Sequence, residues 1–257
     1  MAVRRIGTGG AGAGPSPCGT RARASRWSWC TGRRWTGTAG TGSSLCCPGA
    51  RVVGYDLRGP GSAAGAPPAA TVAEFADDLA ALLDRLGIDR ARLLGHSFGG
   101  QWHSGSRCAS RARQPAHPAV HPGHPYPAFH GAARLLERAG TAAVASAVSR
   151  WFPPEAVAAD LPEVRYAAAR ARAADPAVWA SVLRMIADFD ALEELRTLTA
   201  PTLLLGAEHD RVASAEAMAD MAAALPRARF RLPAGAYHLV PLLEPGRVAE
   251  ALGISIE

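Results

Sequence analysis

Gly95-His96-Ser97-Phe98-Gly99-Gly100 sets a serine among glycines directly after the apolar run Arg92-Leu93-Leu94. A hydroxyl in this setting can act as a nucleophile if a base takes its proton and a carboxylate holds that base in one tautomer. Small neighbours let the backbone make the tight strand-to-helix turn that exposes such a serine. The N–H of Phe98 is then expected to face a developing oxyanion, with the positive end of the following helix behind it. The pattern alone is weak, because a glycine-rich turn carrying a solvated serine has the same letters. Two later residues add weight. Asp210 closes the run Leu203-Leu204-Leu205-Gly206-Ala207-Glu208-His209-Asp210, and His238 sits in Gly235-Ala236-Tyr237-His238-Leu239. Serine, acid and base each follow a strand-like run, the edge at which open α/β sheets bind ligands.

The elements that must hold these residues are legible over much of the chain. Arg51-Val52-Val53-Gly54-Tyr55 reads as a strand entering the turn Asp56-Leu57-Arg58-Gly59-Pro60-Gly61. Thr71 caps a helix from about Val72, whose apolar set Phe75, Leu79, Leu82, Leu83 and Leu86 recurs at three and four until Gly87. Arg92-Leu93-Leu94 and Pro201 to Gly206 read as buried strands, and Arg229-Phe230-Arg231-Leu232 as a last one. Residues 132–199 are Ala-rich and helical, with breaks at Pro153-Pro154, Pro162 and Pro176. Helices are also expected over 214–224 and from Gly246 to Leu252. This alternation predicts an α/β fold: a mostly parallel sheet, helices on both faces and a helical lid, with residues 1–50 and 102–125 irregular. The division expected is an atypical segment 1–50, a core of 51–125 and 200–257, and the lid over 126–199.

In the turn at Asp56 to Gly61, the elbow at Gly95 to Gly99, the acid loop and the histidine loop, the chain resembles serine hydrolases of the α/β-hydrolase family. That resemblance covers residues 51–101 and about 126–255. It implies hydrolysis of an ester-type or lactone bond through an acyl-enzyme: Ser97 as nucleophile, His238 as base, Asp210 as the orienting acid and Phe98 N–H as half of the oxyanion hole. It implies no cofactor and no metal, and a small-molecule ester or lactone as partner. The family pattern puts the acid at Asp210 rather than Glu208. His96 reads as a packing or pocket residue and His209 as a loop residue, while Asp56 and Arg58 read as structural. Trp151-Phe152, Tyr166 and Trp179 fit either an acyl pocket or plain core. Arg150-Trp151-Phe152-Pro153-Pro154-Glu155 and Ala187-Asp188-Phe189-Asp190 look like 3-oxoadipate enol-lactonase relatives.

Two stretches depart from that pattern. The family's oxyanion loop begins His-Gly some 20 to 25 residues before the turn at Asp56, and no His-Gly occurs in residues 1–50. Residues 102–125 should complete the elbow helix and the next strand but run through Pro, His and Arg. Every basic residue of the chain is Arg, the mark of a GC-rich gene. With GC-ending codons, reading Trp27 to Thr38 from the last base of each codon gives Val-Leu-Val-His-Gly-Ala-Pro-Val-Asp. The same shift from Gln101 gives an apolar start such as Val-Ala-Leu. A frameshifted or inactive homologue lacking its oxyanion loop is therefore the alternative expectation. His103, His117, His121 and His124 would then be by-products of the shift rather than metal ligands.

Bulk properties narrow the rest. At 257 residues and 48% hydrophobic content the chain can bury one sizeable core. The net charge of +6 is local. Residues 1–50 hold seven arginines and no acid, and residues 101–131 again hold arginines without acids, leaving the remainder net acidic. Without an aromatic-basic or helix-turn-helix pattern, no nucleic-acid partner is expected. Cys18, Cys30, Cys46, Cys47 and Cys108 form no Cys-x-x-Cys pair and give no disulfide framework. No apolar run reaches the roughly 18 residues of a membrane span, so no membrane partner is expected. Arg4 and Arg5 lead into Gly, Ala, Ser and Pro rather than an apolar signal core, so a cytoplasmic location is expected. Oligomeric state has no signature here.

Overall fold

A computed structural model describes residues 3–5, 26–31, 51–55, 69–89, 91–103, 116–118 and 126–253. Its strands form one sheet of order β1-β3-β2-β4-β5-β6-β7. These are β1 (Val3–Arg5), β2 (Arg26–Thr31), β3 (Arg51–Tyr55), β4 (Arg92–His96), β5 (Ala116–Pro118), β6 (Thr202–Leu205) and β7 (Ala228–Arg231). β1 runs antiparallel to β3, and the remaining neighbours pair in parallel. A mostly parallel sheet needs helical crossovers, which cover its faces.

Helix α1 (Val72–Arg85) starts where Thr71 accepts a bond from the Glu74 N–H at 3.3 Å, and buries Phe75, Leu79, Leu82 and Leu83. After it come β4 and the short helix α2 (Phe98–His103). Between β5 and β6 lies a helical insertion: α3 (Ala128–Ala139), α4 (Val144–Trp151), α5 (Pro154–Ala158), α6 (Pro162–Arg172), α7 (Pro176–Asp188) and α8 (Leu192–Arg196). Prolines open α5, α6 and α7, where the missing N–H costs nothing. After β6 come α9 (Ala215–Ala224), capped by Ser214, then α10 (Val240–Leu243) and α11 (Pro245–Leu252).

Helices occupy both faces of the sheet, as alternation along a strand requires. Leu204 packs with Met218, Met221 and Leu225, while its neighbour Leu205 packs with Val240 and Val248. The largest cluster joins α1 and Phe98 to the insertion through Leu136, Val148, Trp179 and Ile186. The insertion therefore shares its apolar core with the sheet.

Within residues 1–50 and 102–125, expected to be irregular, the structure describes short regular elements. β1 and β2 lie in the first stretch; the last residues of α2 and all of β5 lie in the second. β2 sits inside the sheet, paired with β3 on one side and β4 on the other. Ladder partners on both edges hold a strand there although its composition gives little sign of one. Trp27 and Trp29, alternating with Ser28 and Cys30, carry the one local signal, a period of two. β5 is cut short by Pro118, which has no N–H to give to a ladder. The turn at Asp56 to Gly61, His121 and His124 lie outside the described residues. Among the described residues, no helix is long and apolar enough to cross a membrane.

Candidate active site

Ser97 occupies the single position between β4 and α2, with φ of 53°. That left-handed conformation is costly for a side-chain-bearing residue and occurs where the surrounding structure imposes it. The turn is closed by Gly100 N–H donating to the Ser97 carbonyl at 2.8 Å. Phe98, first residue of α2, has an N–H that the helix itself cannot use. Its ring is buried and meets Phe75 of α1 edge-on at 5.1 Å, which fixes the start of the helix.

Asp210 and His238 come from the loops after β6 and β7. The structure brings both to Ser97. Asp210 Oδ1 accepts the backbone N–H groups of Val212 at 2.7 Å and Ala213 at 2.9 Å. Its Oδ2 lies 2.8 Å from His238 Nδ1. A carboxylate only accepts, so Nδ1 carries the proton and the Nε2 lone pair is free. Nε2 lies 3.2 Å from Ser97 Oγ, which can donate to it. Asp210 and His238 are both buried. Burial alone pushes the Asp210 carboxyl up, but the adjacent His238 ring, its hydrogen bond and the Ala213 and Val212 N–H groups outweigh that and hold it below its ordinary value.

His96 does more than pack. Its Nε2 donates to the His238 carbonyl at 2.9 Å, and the two rings lie 5.0 Å apart. Burial first, and then the neighbouring His238, lower its pKa to about 3, so the ring is a neutral strut between elbow and histidine loop. Position directly before the serine was its only sequence signal. A second tie crosses to the insertion: Leu239 N–H donates to the Trp151 carbonyl at 3.0 Å.

The other candidates separate cleanly. Glu208 turns to the Gly235 N–H instead of His238. His209 is exposed, its ring tilted against that of Tyr237 at 5.3 Å. Phe152 is core, whereas Trp151 and Trp179, 6.2 Å apart, line a cavity of about 140 Å³ beside Ser97. Tyr166 is half-buried and does not reach that cavity. Phe129, Leu183 and Ile186 add to the apolar wall. Two cations missed by sequence reasoning, Arg150 and Arg170, also line it. The available signal was spacing: Ala167, Arg170 and Ala171 share one helical face. Among the described residues no group of His, Cys, Asp and Glu is arranged to hold a metal ion.

The sequence matches the profile of the Alpha/beta hydrolase family over residues 10–251. No curated protein matches it. Among solved structures, a thermophilic esterase from Thermogutta terrifontis is 25% identical, with 90% of this chain and 88% of that one covered and a TM-score of 0.76. The enol-lactonase from Burkholderia xenovorans is 20% identical, covering 90% of each chain, with a TM-score of 0.75. A bromoperoxidase from Bacillus anthracis, 18% identical over 89% of this chain and 90% of that one, has a TM-score of 0.76.

Proposed function

Since the chain belongs to the alpha/beta hydrolase family, we propose that it cleaves an ester-type or lactone bond by nucleophilic catalysis from Ser97, with residues 126–199 as a lid over the site. Ser97 Oγ attacks the carbonyl carbon while His238 Nε2 takes its proton. Asp210 holds the imidazole in the tautomer that can accept it. The oxyanion draws a hydrogen bond from Phe98 N–H. As the tetrahedral intermediate collapses, His238 returns the proton to the leaving alkoxide, and an acyl group remains on Ser97. Water then attacks the acyl-enzyme by the same route, giving the acid and the free serine.

The reading rests above all on the alignment Asp210–His238–Ser97, with contacts of 2.8 and 3.2 Å. The esterase neighbour lends support to ester cleavage; the lactonase, at its lower identity, speaks for the fold alone. Hydrolysis of p-nitrophenyl acetate by purified protein is expected to fall on the order of 10⁴–10⁶-fold in Ser97→Ala. Turnover that survives this substitution sinks the reading.

One observation favours a second reading, an inactive homologue. No His-Gly pair occurs in residues 1–50 to supply the second oxyanion donor, and one lost donor costs about 10²–10³ in rate. Absence of any Ser97-dependent turnover from folded protein supports it.

A further inference from the structure

Among the described residues that line it, the cavity beside Ser97 is apolar apart from Ser97, His96, His238 and two arginines, and none is acidic. The other half-buried arginines of the described residues have anionic partners: Arg184 has Glu137 and Arg247 has Glu244. Arg150, exposed at the cavity mouth, donates to Ser146 Oγ at 2.9 Å. Arg170 differs from all of these. It is half-buried, lines the cavity, and among the described residues its side chain has neither a hydrogen bond nor an ion pair. The flanking Ala167 and Ala171 are both 2% exposed and present nothing larger than a methyl group on that face. A guanidinium shielded by apolar walls and given no internal partner is costly to keep unless something charged arrives to meet it.

We propose that this cavity takes a substrate bearing a free carboxylate remote from the scissile carbonyl, and that Arg170 receives that carboxylate. The inference rests on the serine-hydrolase reading of the same site. Arginine matches a carboxylate with two parallel N–H donors, a geometry neither lysine nor an amide reproduces. The volume suits a short acyl chain, since a cavity of about 150 Å³ holds a six-carbon ring. A five-carbon acyl group with a terminal carboxylate therefore fits in size and in charge.

Two esters of equal length separate charge from shape: monomethyl glutarate and methyl pentanoate. Acid release is followed by titration for wild type, Arg170→Gln and Arg172→Gln. Arg172 is exposed on the same helix and outside the cavity, so its removal changes net charge equally. In wild type, kcat/KM favours monomethyl glutarate. Arg170→Gln lowers that value roughly tenfold to a hundredfold and leaves methyl pentanoate within about twofold, while Arg172→Gln spares both. Equal losses on the two esters in Arg170→Gln, or the same selective loss in Arg172→Gln, overturn the proposal. Calorimetric binding of monomethyl glutarate to Ser97→Ala, with and without Arg170→Gln, supplies a readout that needs no turnover. Weakening in the double variant supports the carboxylate site, and equal affinity, or no binding to either, overturns it. Activity that persists in Ser97→Ala instead removes the hydrolase reading, a separate outcome.

Discussion

At the scale of single residues, the site depends on proton positions that hydrogen bonding dictates. Asp210 fixes the His238 tautomer, so Asp210→Asn, whose amide can donate to Nδ1 and turn the proton to Nε2, is expected to lower kcat by about 10⁴-fold with the fold intact. Steady-state kinetics on p-nitrophenyl acetate, beside a circular dichroism spectrum, checks this. His96 makes a prediction about pH. Its folded pKa of about 3 lies below the value near 6.5 of an unfolded histidine. The unfolded chain thus binds the extra proton first, so the stability held by neutral His96 is complete above about pH 6.5. It drains as pH falls toward 3, by up to about 1.4 kcal/mol per pH unit. Gln at this position keeps an N–H for the His238 carbonyl but does not titrate. Between pH 6.5 and 4.5, His96→Gln should lose roughly 2 kcal/mol less stability than wild type in urea unfolding; parallel curves for the two proteins contradict it. Ser97, Asp210 and His238 were legible in the sequence because chemistry restricts their types and the strand ends restrict their places. The tie from His96 was not, since a hydrogen bond to a backbone carbonyl 142 residues away leaves no local trace.

At the scale of elements, helix periodicity read well and strand periodicity read unevenly. Phe75, Leu79, Leu82 and Leu83, spaced along α1, announced its buried face, and Thr71 and Gly87 its ends. β6 announced itself as Leu203-Leu204-Leu205. β2 and β5 did not, because an inner strand takes its hydrogen bonds from neighbours far away in sequence, and Ser28, Cys30, His117 and Pro118 carry little strand preference of their own. Helix α10 was also missed: only four residues long, it is too short to show a period. Packing between α1 and α2 bears on the proposed nucleophile. Phe75 is 1% exposed and braces Phe98, the residue after Ser97. Phe75→Ala should cost about 3–5 kcal/mol of stability and lower kcat further than KM rises, because the elbow loses its support. Thermal unfolding and kinetics on one preparation distinguish this from simple destabilisation, in which the folded fraction keeps its full kcat.

At the scale of the whole molecule, the sheet, the two covered faces and the helical insertion follow from the alternation of elements, and the family match spans nearly all of it. What did not follow is where arginine-rich composition overrides pattern. The alternate reading of Trp27 to Thr38 meets the structure at one place: β2 ends at Thr31, in register with His96, one residue before Ser97. The gene should therefore encode a Val-His-Gly-type peptide in a shifted frame across codons 27–38, which its nucleotide sequence checks directly. A chain with that frame restored should gain about 10²–10³ in kcat, the worth of one oxyanion donor. The insertion carries a different consequence. It stands in the chain between Ser97 and the pair Asp210 and His238, so that the proposed nucleophile and its proposed activating residues lie on opposite sides of the helical insertion, residues 128–196. Asp160, exposed between α5 and α6 with φ of 47°, marks a natural place to sever it. Neither fragment alone holds Ser97, Asp210 and His238 together. Ester hydrolysis would appear only when both halves meet, making the molecule a two-part reporter of its own reassembly.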